Sequence, residues 1–324
     1  MIKNVWNRYR NPTLFTLLLM LIPAVIGGQK HLLTTACMVL IYSIIAMSLN
    51  LLMGFGGQIS IGHASFMAIG AYSSAIFTLK LGIPFWIALP AAGFFTALIG
   101  FGVGLPAVRL KGHFLAVATL GFGVAIPELT MKWDKLTGGF SGLFPEKPVL
   151  FGYIFKSDLS LYYLIAVVTL LCTWLMRNLI NSRIGRAFVA IRESEVAAAA
   201  MGINVPLYKA LMFSISAFFT GVAGSLYAHY IGFISPFDFN IGISLTLLAM
   251  VVVGGFASIP GSFIGALVLT LIPEFTNHVA GLSLVVTGIA LVLVTLFFPD
   301  GLVSVRKIWQ ERLKKRKVVS KHAL

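Results

Sequence analysis

Long apolar runs separated by short polar stretches dominate this chain. A helix crossing a bilayer needs about 20 mainly apolar residues, because lipid offers its backbone no hydrogen-bond partner. Runs of that kind lie at roughly 13–27, 33–53, 61–79, 84–106, 113–131, 161–177, 210–230, 243–256, 262–274 and 280–298. They predict an all-α fold, a polytopic transmembrane helical bundle of about ten spans. The runs at 243–256 and 262–274 are short, and as a re-entrant pair they would leave eight spans.

Composition narrows the class. Of 324 residues, 58% are hydrophobic and 10% charged, against about 25% charged in a soluble domain. Too little polar surface remains to cover a water-soluble globule. This excludes a soluble enzyme, a disordered protein and a nucleic-acid module. The formal charge of +14 sits in clusters between apolar runs. Eighteen of the 24 Lys and Arg residues fall on one set of connections and both termini, and six on the other. The richer side reads as cytoplasmic, so both termini are cytoplasmic and the span number is even. The organisation is then a basic N-terminus (1–12), a transmembrane domain (13–298) and a basic tail (299–324). A loop at 131–160 lies outside and a loop at 177–209 inside. The first run, behind Lys3, Arg8 and Arg10, reads as a retained span or signal anchor. The tail reads as a solvated cytoplasmic end, with anionic membrane lipid as an alternative partner.

Several chemistries find no residues to carry them. The ten acidic side chains lie near run ends or in connections, which counts against an ion-driven carrier. No HExxH, GxSxG or GxxxxGK pattern occurs. Cys37 and Cys172 lie singly within apolar runs and read as small buried hydrophobes. No catalytic residue, metal or bound cofactor is expected, and any ATP must be held by another chain.

Two glycine-rich segments stand out. Gly54-Phe-Gly-Gly-Gln-Ile-Ser-Ile-Gly-His63 places Gly56, Gly57, Gln58, Ser60, Gly62 and His63 where a helix can break. Freed backbone groups there can line a translocation path or gate; close helix packing is the alternative. Gly254-Gly-Phe-Ala-Ser-Ile-Pro-Gly261 echoes it, with Gly254 and Gly255 as the matching doublet, and hints at an internal repeat. The 177–209 loop differs from the runs. Arg183 to Glu193 reads as an amphipathic helix carrying Arg186 and Arg192. Ser194 then caps a second helix of about two turns, with Glu195 in its first turn, Ala197 and Ala198 within it, and Gly202 at its end. So short a helix is unstable alone and is expected to dock on a partner.

These residues resemble a known family. Ser48-Leu-Asn-Leu-Leu-Met-Gly-Phe-Gly-Gly, Arg109-Leu-Lys-Gly-His-Phe, Thr137-Gly-Gly-Phe-Ser-Gly-Leu, Ser182-Arg-Ile-Gly-Arg-Ala, Val253-Gly-Gly-Phe-Ala-Ser-Ile-Pro-Gly-Ser and Pro299-Asp-Gly-Leu occur in order. Together they resemble the branched-chain amino acid ABC transporter permease family, in its M-type (LivM-like) form. The resemblance implies a multi-pass subunit of the bacterial inner membrane that transports rather than catalyses. Its implied partners are a second, H-type permease, two cytoplasmic ATPases that use the ATP, and a periplasmic binding protein. Ser194 to Gly202 is similar to the loop that such permeases insert into the ATPase cleft. It departs in one place: Val196 stands where the family carries Glu, and Glu195 comes one residue earlier. The family also includes permeases for urea and short-chain amides, and a stand-alone ion-coupled transporter is the reading outside it.

Overall fold

In the computed structural model, residues 23, 29–107, 110, 112–150, 153–155, 157–276, 282–297 and 301–304 are described. Apart from residue 23, the run at 13–27 lies outside them, as do the N-terminus and most of the basic tail. Each of the other nine apolar runs coincides with one helix. The long helices are α1 (Lys30–Asn50), α2 (His63–Leu79), α3 (Phe85–Ala107) and α4 (His113–Lys132). After the four-residue α5 (Asp134–Thr137) come α6 (Asp158–Asn181), α7 (Arg183–Glu193), α8 (Glu195–Ala200) and α9 (Val205–Ile231). The last are α10 (Ile241–Gly254), α11 (Ile259–Thr276) and α12 (Leu282–Phe297). Among the described residues, six stretches are long and apolar enough to cross a membrane. They are Lys30–Phe55, Phe85–Pro106, His113–Lys132, Asp158–Asn181, Val205–Ile231 and Pro236–Gly254.

Local signals account for the helix boundaries. Asn204 accepts a hydrogen bond from the Leu207 N–H and Pro206 follows in the first turn of α9, which ends at Gly232 in the left-handed region. Asn240 caps α10 through the Ile243 N–H. Ser182 caps α7 and Ser194 caps α8.

The 27-residue α9 is the central post, packed against α3, α2 and α1. It comes close to α2 because Gly70 faces Gly221 backbone to backbone, where any Cβ would collide. The apolar core also holds polar ties. Ser48 Oγ and Thr220 Oγ1 lie 2.7 Å apart, and Ser216 Oγ donates to the Ser48 carbonyl at 2.8 Å. Water is absent from the core of a bilayer, so such groups bond to one another.

Two findings depart from the sequence expectation. The chain from Gly56 to Gly62 is not helical, so the second long helix begins at His63 rather than near 61. The outer connection is not purely helical: Val149–Leu150 (β1) and Tyr153–Ile154 (β2) pair antiparallel. The runs at 243–256 and 262–274 form α10 and α11, antiparallel neighbours joined by a turn at Gly255.

Candidate functional site

The most irregular part of the bundle is where α1 ends. Leu51–Phe55 winds into a π-helical turn, a distortion that marks functional positions in helices more often than chance. Gly57 then takes a positive φ of 67° and the chain runs back into the bundle. Its backbone donors are met from elsewhere. The Ile61 N–H donates to Thr119 Oγ1 at 3.0 Å and the Ala64 N–H to Ser244 Oγ at 3.1 Å.

The side chains alternate along this segment. Gln58, Ser60 and Gly62 are buried, whereas Gly57 and Ile59 are exposed. Gln58 Nε2 reaches Met212 Sδ at 3.8 Å, and its buried Oε1 has no partner among the described residues. His63 is fully buried, with Nε2 2.8 Å from Ser216 Oγ and Nδ1 3.1 Å from Ser60 Oγ. The polar residues singled out from sequence therefore face the interior of this chain, and the outward edge consists of Gly57 and Ile59. An extended chain alternates its two faces, and the inner one lies against Ser216 and Met212 of α9. Gly56 also faces Met212, and Gly62 lies against the Thr119 carbonyl.

The second glycine segment meets the first through Asn50, which the sequence did not single out. Asn50 Nδ2 donates to the Gly255 carbonyl at 3.1 Å, the Ser258 carbonyl at 3.0 Å and Ser262 Oγ at 3.0 Å. Its Oδ1 accepts from the Ala257 N–H at 2.8 Å. Ala257 has a positive φ of 53°, unusual for a residue with a side chain. In both doublets the second glycine is left-handed, Gly57 at 67° and Gly255 at 114°. Gly254 packs on Gly261, and Gly301 of the Pro299–Leu302 motif packs on Gly255. Three sequence motifs thus converge at one end of the bundle.

The 177–209 loop closes over that end. Arg192 Nη1 donates to the Gly54 carbonyl at 2.6 Å, and its stem lies against Gly57. Helix α7 buries Gly185, Ala187, Phe188 and Ile191 and exposes Arg183 and Arg186, as its amphipathic pattern requires. Arg186 bonds back to the Asn181 carbonyl. Glu193 is a surface residue 3.9 Å from Arg192, a pair worth little in water. In α8, Ser194 Oγ accepts from the Ala197 N–H, Ala198 is buried, and Gly202 ends the turn at φ 82°. Glu195 turns inward and binds Lys209 at 2.6 Å, whose side chain is 4% exposed. Val196 and Met201 point outward at 81% and 80% exposure. Neither was singled out from sequence as a contact, because apolar residues in an apolar chain carry no signal until their exposure is known. Among the described residues no group of His, Cys, Asp and Glu could hold a metal ion.

A helical membrane bundle with a broken span, bonded to an amphipathic loop that ends in an exposed apolar knob, defines a transport subunit with multiple membrane passes. The family model for the permease component of branched-chain amino acid transport systems matches residues 31–295, and the chain belongs to that family. It is similar to the high-affinity branched-chain amino acid transport permease LivM of Salmonella typhimurium, 32% identical over 296 residues. That match covers 84% of this chain and 70% of the relative. The LivH permease of Escherichia coli K12 is 28% identical over 81% of this chain and 91% of its own length. The autoinducer 2 import permease LsrC of Yersinia pseudotuberculosis is 27% identical over 65% of this chain and 56% of its own. No solved structure matches.

Proposed function

We propose that this chain is the M-type permease of an ABC importer for branched-chain amino acids in a bacterial inner membrane, with ten spans and both termini cytoplasmic. It pairs with an H-type permease, sits on two cytoplasmic ATPases that bind the ATP, and receives cargo from a periplasmic binding protein. Similarity to both LivM and LivH supports a paired permease. The exposed Val196 of α8 and Met201 just after it carry the reading, since such a knob outside the bilayer calls for an apolar partner surface.

In this mechanism ATPase closure pushes α8. The push passes through the Glu195–Lys209 pair into α9 and through Arg192 into the broken span at Gly54. The cargo passes the outward edge of that span, Gly57 and Ile59. Gln58, Ser60, Gly62 and His63 hold the segment from behind, and Asn50 ties it to Gly255, the neighbour of Gly254. Arg186, Glu193, Ser194, Ala197, Ala198 and Gly202 shape the docking loop. The test is purification from membranes in mild detergent. The wild type should bring two ATPases and a second permease; Val196→Asp with Met201→Asp should remain in the membrane and lose the ATPases. ATPases retained by the double variant would defeat the docking role.

A further inference from the structure

We propose that Gln58 is a gating residue of the broken span: its carboxamide is stored under-bonded against Met212, and movement of α9 releases it toward the outward edge. The proposal deepens the transport reading above and rests on it for the edge at Gly57 and Ile59 and for the push through Lys209.

The segment around Gln58 is anchored on both sides. Ser216 Oγ donates to the Ser48 carbonyl, so it accepts from His63 Nε2–H, and His63 Nδ1 then accepts from Ser60 Oγ. That chain pins residues 60–63 to α9 and α1. Before Gln58, Arg192 Nη1 holds the Gly54 carbonyl. The backbone is fixed as well: the Gln58 N–H donates to the Leu52 carbonyl at 3.0 Å and the Gly57 N–H to the Met53 carbonyl at 3.1 Å. The Gln58 side chain is the loose part. It is 5% exposed, yet Nε2 meets only Met212 Sδ at 3.8 Å, and Oε1 has no partner among the described residues. A thioether is a weak acceptor. Turning the carboxamide over would leave its nitrogen unmet instead, so either orientation lacks a bond.

Met212 decides whether that arrangement lasts. It is fully buried on α9, and a Cβ at Gly56 would overlap its sulfur. One turn earlier on the same face of α9 is Lys209, bonded to Glu195 of the docking loop at 2.6 Å. A displacement that arrives at Lys209 therefore shifts the surface against which Gln58 is stored. Buried polar groups in native proteins are nearly always paired, and one unmet bond lowers the population of a conformation about tenfold. The stored state is thus poised to be left. Gly57, exposed and at a φ of 67°, gives the backbone just before Gln58 the freedom to turn it toward the edge.

The test uses the complete transporter in proteoliposomes, with melting temperatures read in detergent. Gln58→Met keeps the length of the side chain and removes the unmet atom. The melting temperature should rise by about 2 °C or more while uptake falls about tenfold or more. A purely structural glutamine would lose stability and uptake together. A lower melting temperature, failure to assemble, or wild-type uptake by this variant overturns the proposal. Gln58→Cys reports the movement directly, because Cys37 and Cys172 are buried. A membrane-impermeant maleimide, read at this position by mass spectrometry, should label it slowly without nucleotide. With ATP and vanadate holding the ATPases closed, labelling should be about tenfold faster. Equal rates in the two states overturn the release. Wild-type uptake separates the two readings. Absence of ATP-dependent uptake by the wild type overturns the transport reading itself, whereas intact uptake with equal labelling rates at Gln58→Cys overturns this gate alone.

Discussion

Arg192 Nη1 donates to the Gly54 carbonyl across 2.6 Å, joining the loop after α6 to the π-helical turn at the end of α1. The two residues are 138 positions apart. A helix that ends in a π turn leaves carbonyls without partners, and a guanidinium is a strong donor to one of them. The contact gives displacement of the loop a direct route into the broken span.

Removing that link should uncouple the subunit. Arg192→Ala loses a charge-assisted bond of about 1–2 kcal/mol, discounted for its partial exposure. Uptake into proteoliposomes should fall about tenfold or more while ATPases still co-purify and basal ATP hydrolysis stays within about twofold. Unchanged uptake would show that force takes another route.

Gly57 should resist substitution for two reasons that a control can separate. Alanine at a left-handed φ costs about 1–2 kcal/mol. At Gly57 the new Cβ also meets Arg192 Cγ at 3.0 Å. Gly232 has a similar φ of 76°, and its nearest neighbour would be 4.0 Å away. Both variants should lower the melting temperature, and Gly57→Ala alone should reduce uptake per ATP hydrolysed.

Asn50 should be among the costliest single positions to truncate. Asn50→Ala strands the Ala257 N–H and the Gly255 carbonyl, whereas the Ser258 carbonyl and Ser262 Oγ keep their bond to one another. Each unmet buried group costs about 1–3 kcal/mol, so a total loss of about 3 kcal/mol or more is expected. Thermal unfolding in detergent reads it directly. Asn50→Asp should be no better, because it removes the donors and adds a buried charge.

The Glu195–Lys209 pair makes a prediction about order. Glu195→Gln leaves the nearly buried Lys209 ammonium without its counter-charge. The cost should be about 2 kcal/mol, below that of a fully buried pair because the carboxylate is partly exposed. Lys209→Met combined with Glu195→Gln should recover most of it. A double-variant cycle of melting temperatures measures the coupling; strict additivity would show that the pair is not a strut.

The loop was legible because its signals are local. Ser182 and Ser194 each bond an N–H two or three residues ahead, and Gly202 closes a turn opened only a few residues earlier. Hydrophobic period and these caps outline α7 and α8 without reference to the rest of the chain. The glycine-rich break was legible as well, since four glycines in nine residues do not sustain a helix in a span.

The direction of the polar residues in that break was not legible. Gln58, Ser60 and His63 look like path residues until Ser216 and Met212, more than 150 positions away, are seen to occupy their inner face. Asn50 carried no local signal, because its four partners lie more than 200 residues on.

The sequence by itself determined that this protein is a helical membrane bundle, where nine of its helices run and which loop stands apart, because apolar length, charge position and capping act within a few residues. Only the tertiary structure decided that Arg192 grips Gly54 and that Asn50 ties the end of the first long helix to the second glycine segment. Those contacts depend on which helix faces join α9, and in so apolar a chain many faces are equally greasy. Close approach at glycines such as Gly70 and Gly221, and the pairing of each buried polar group, select among them.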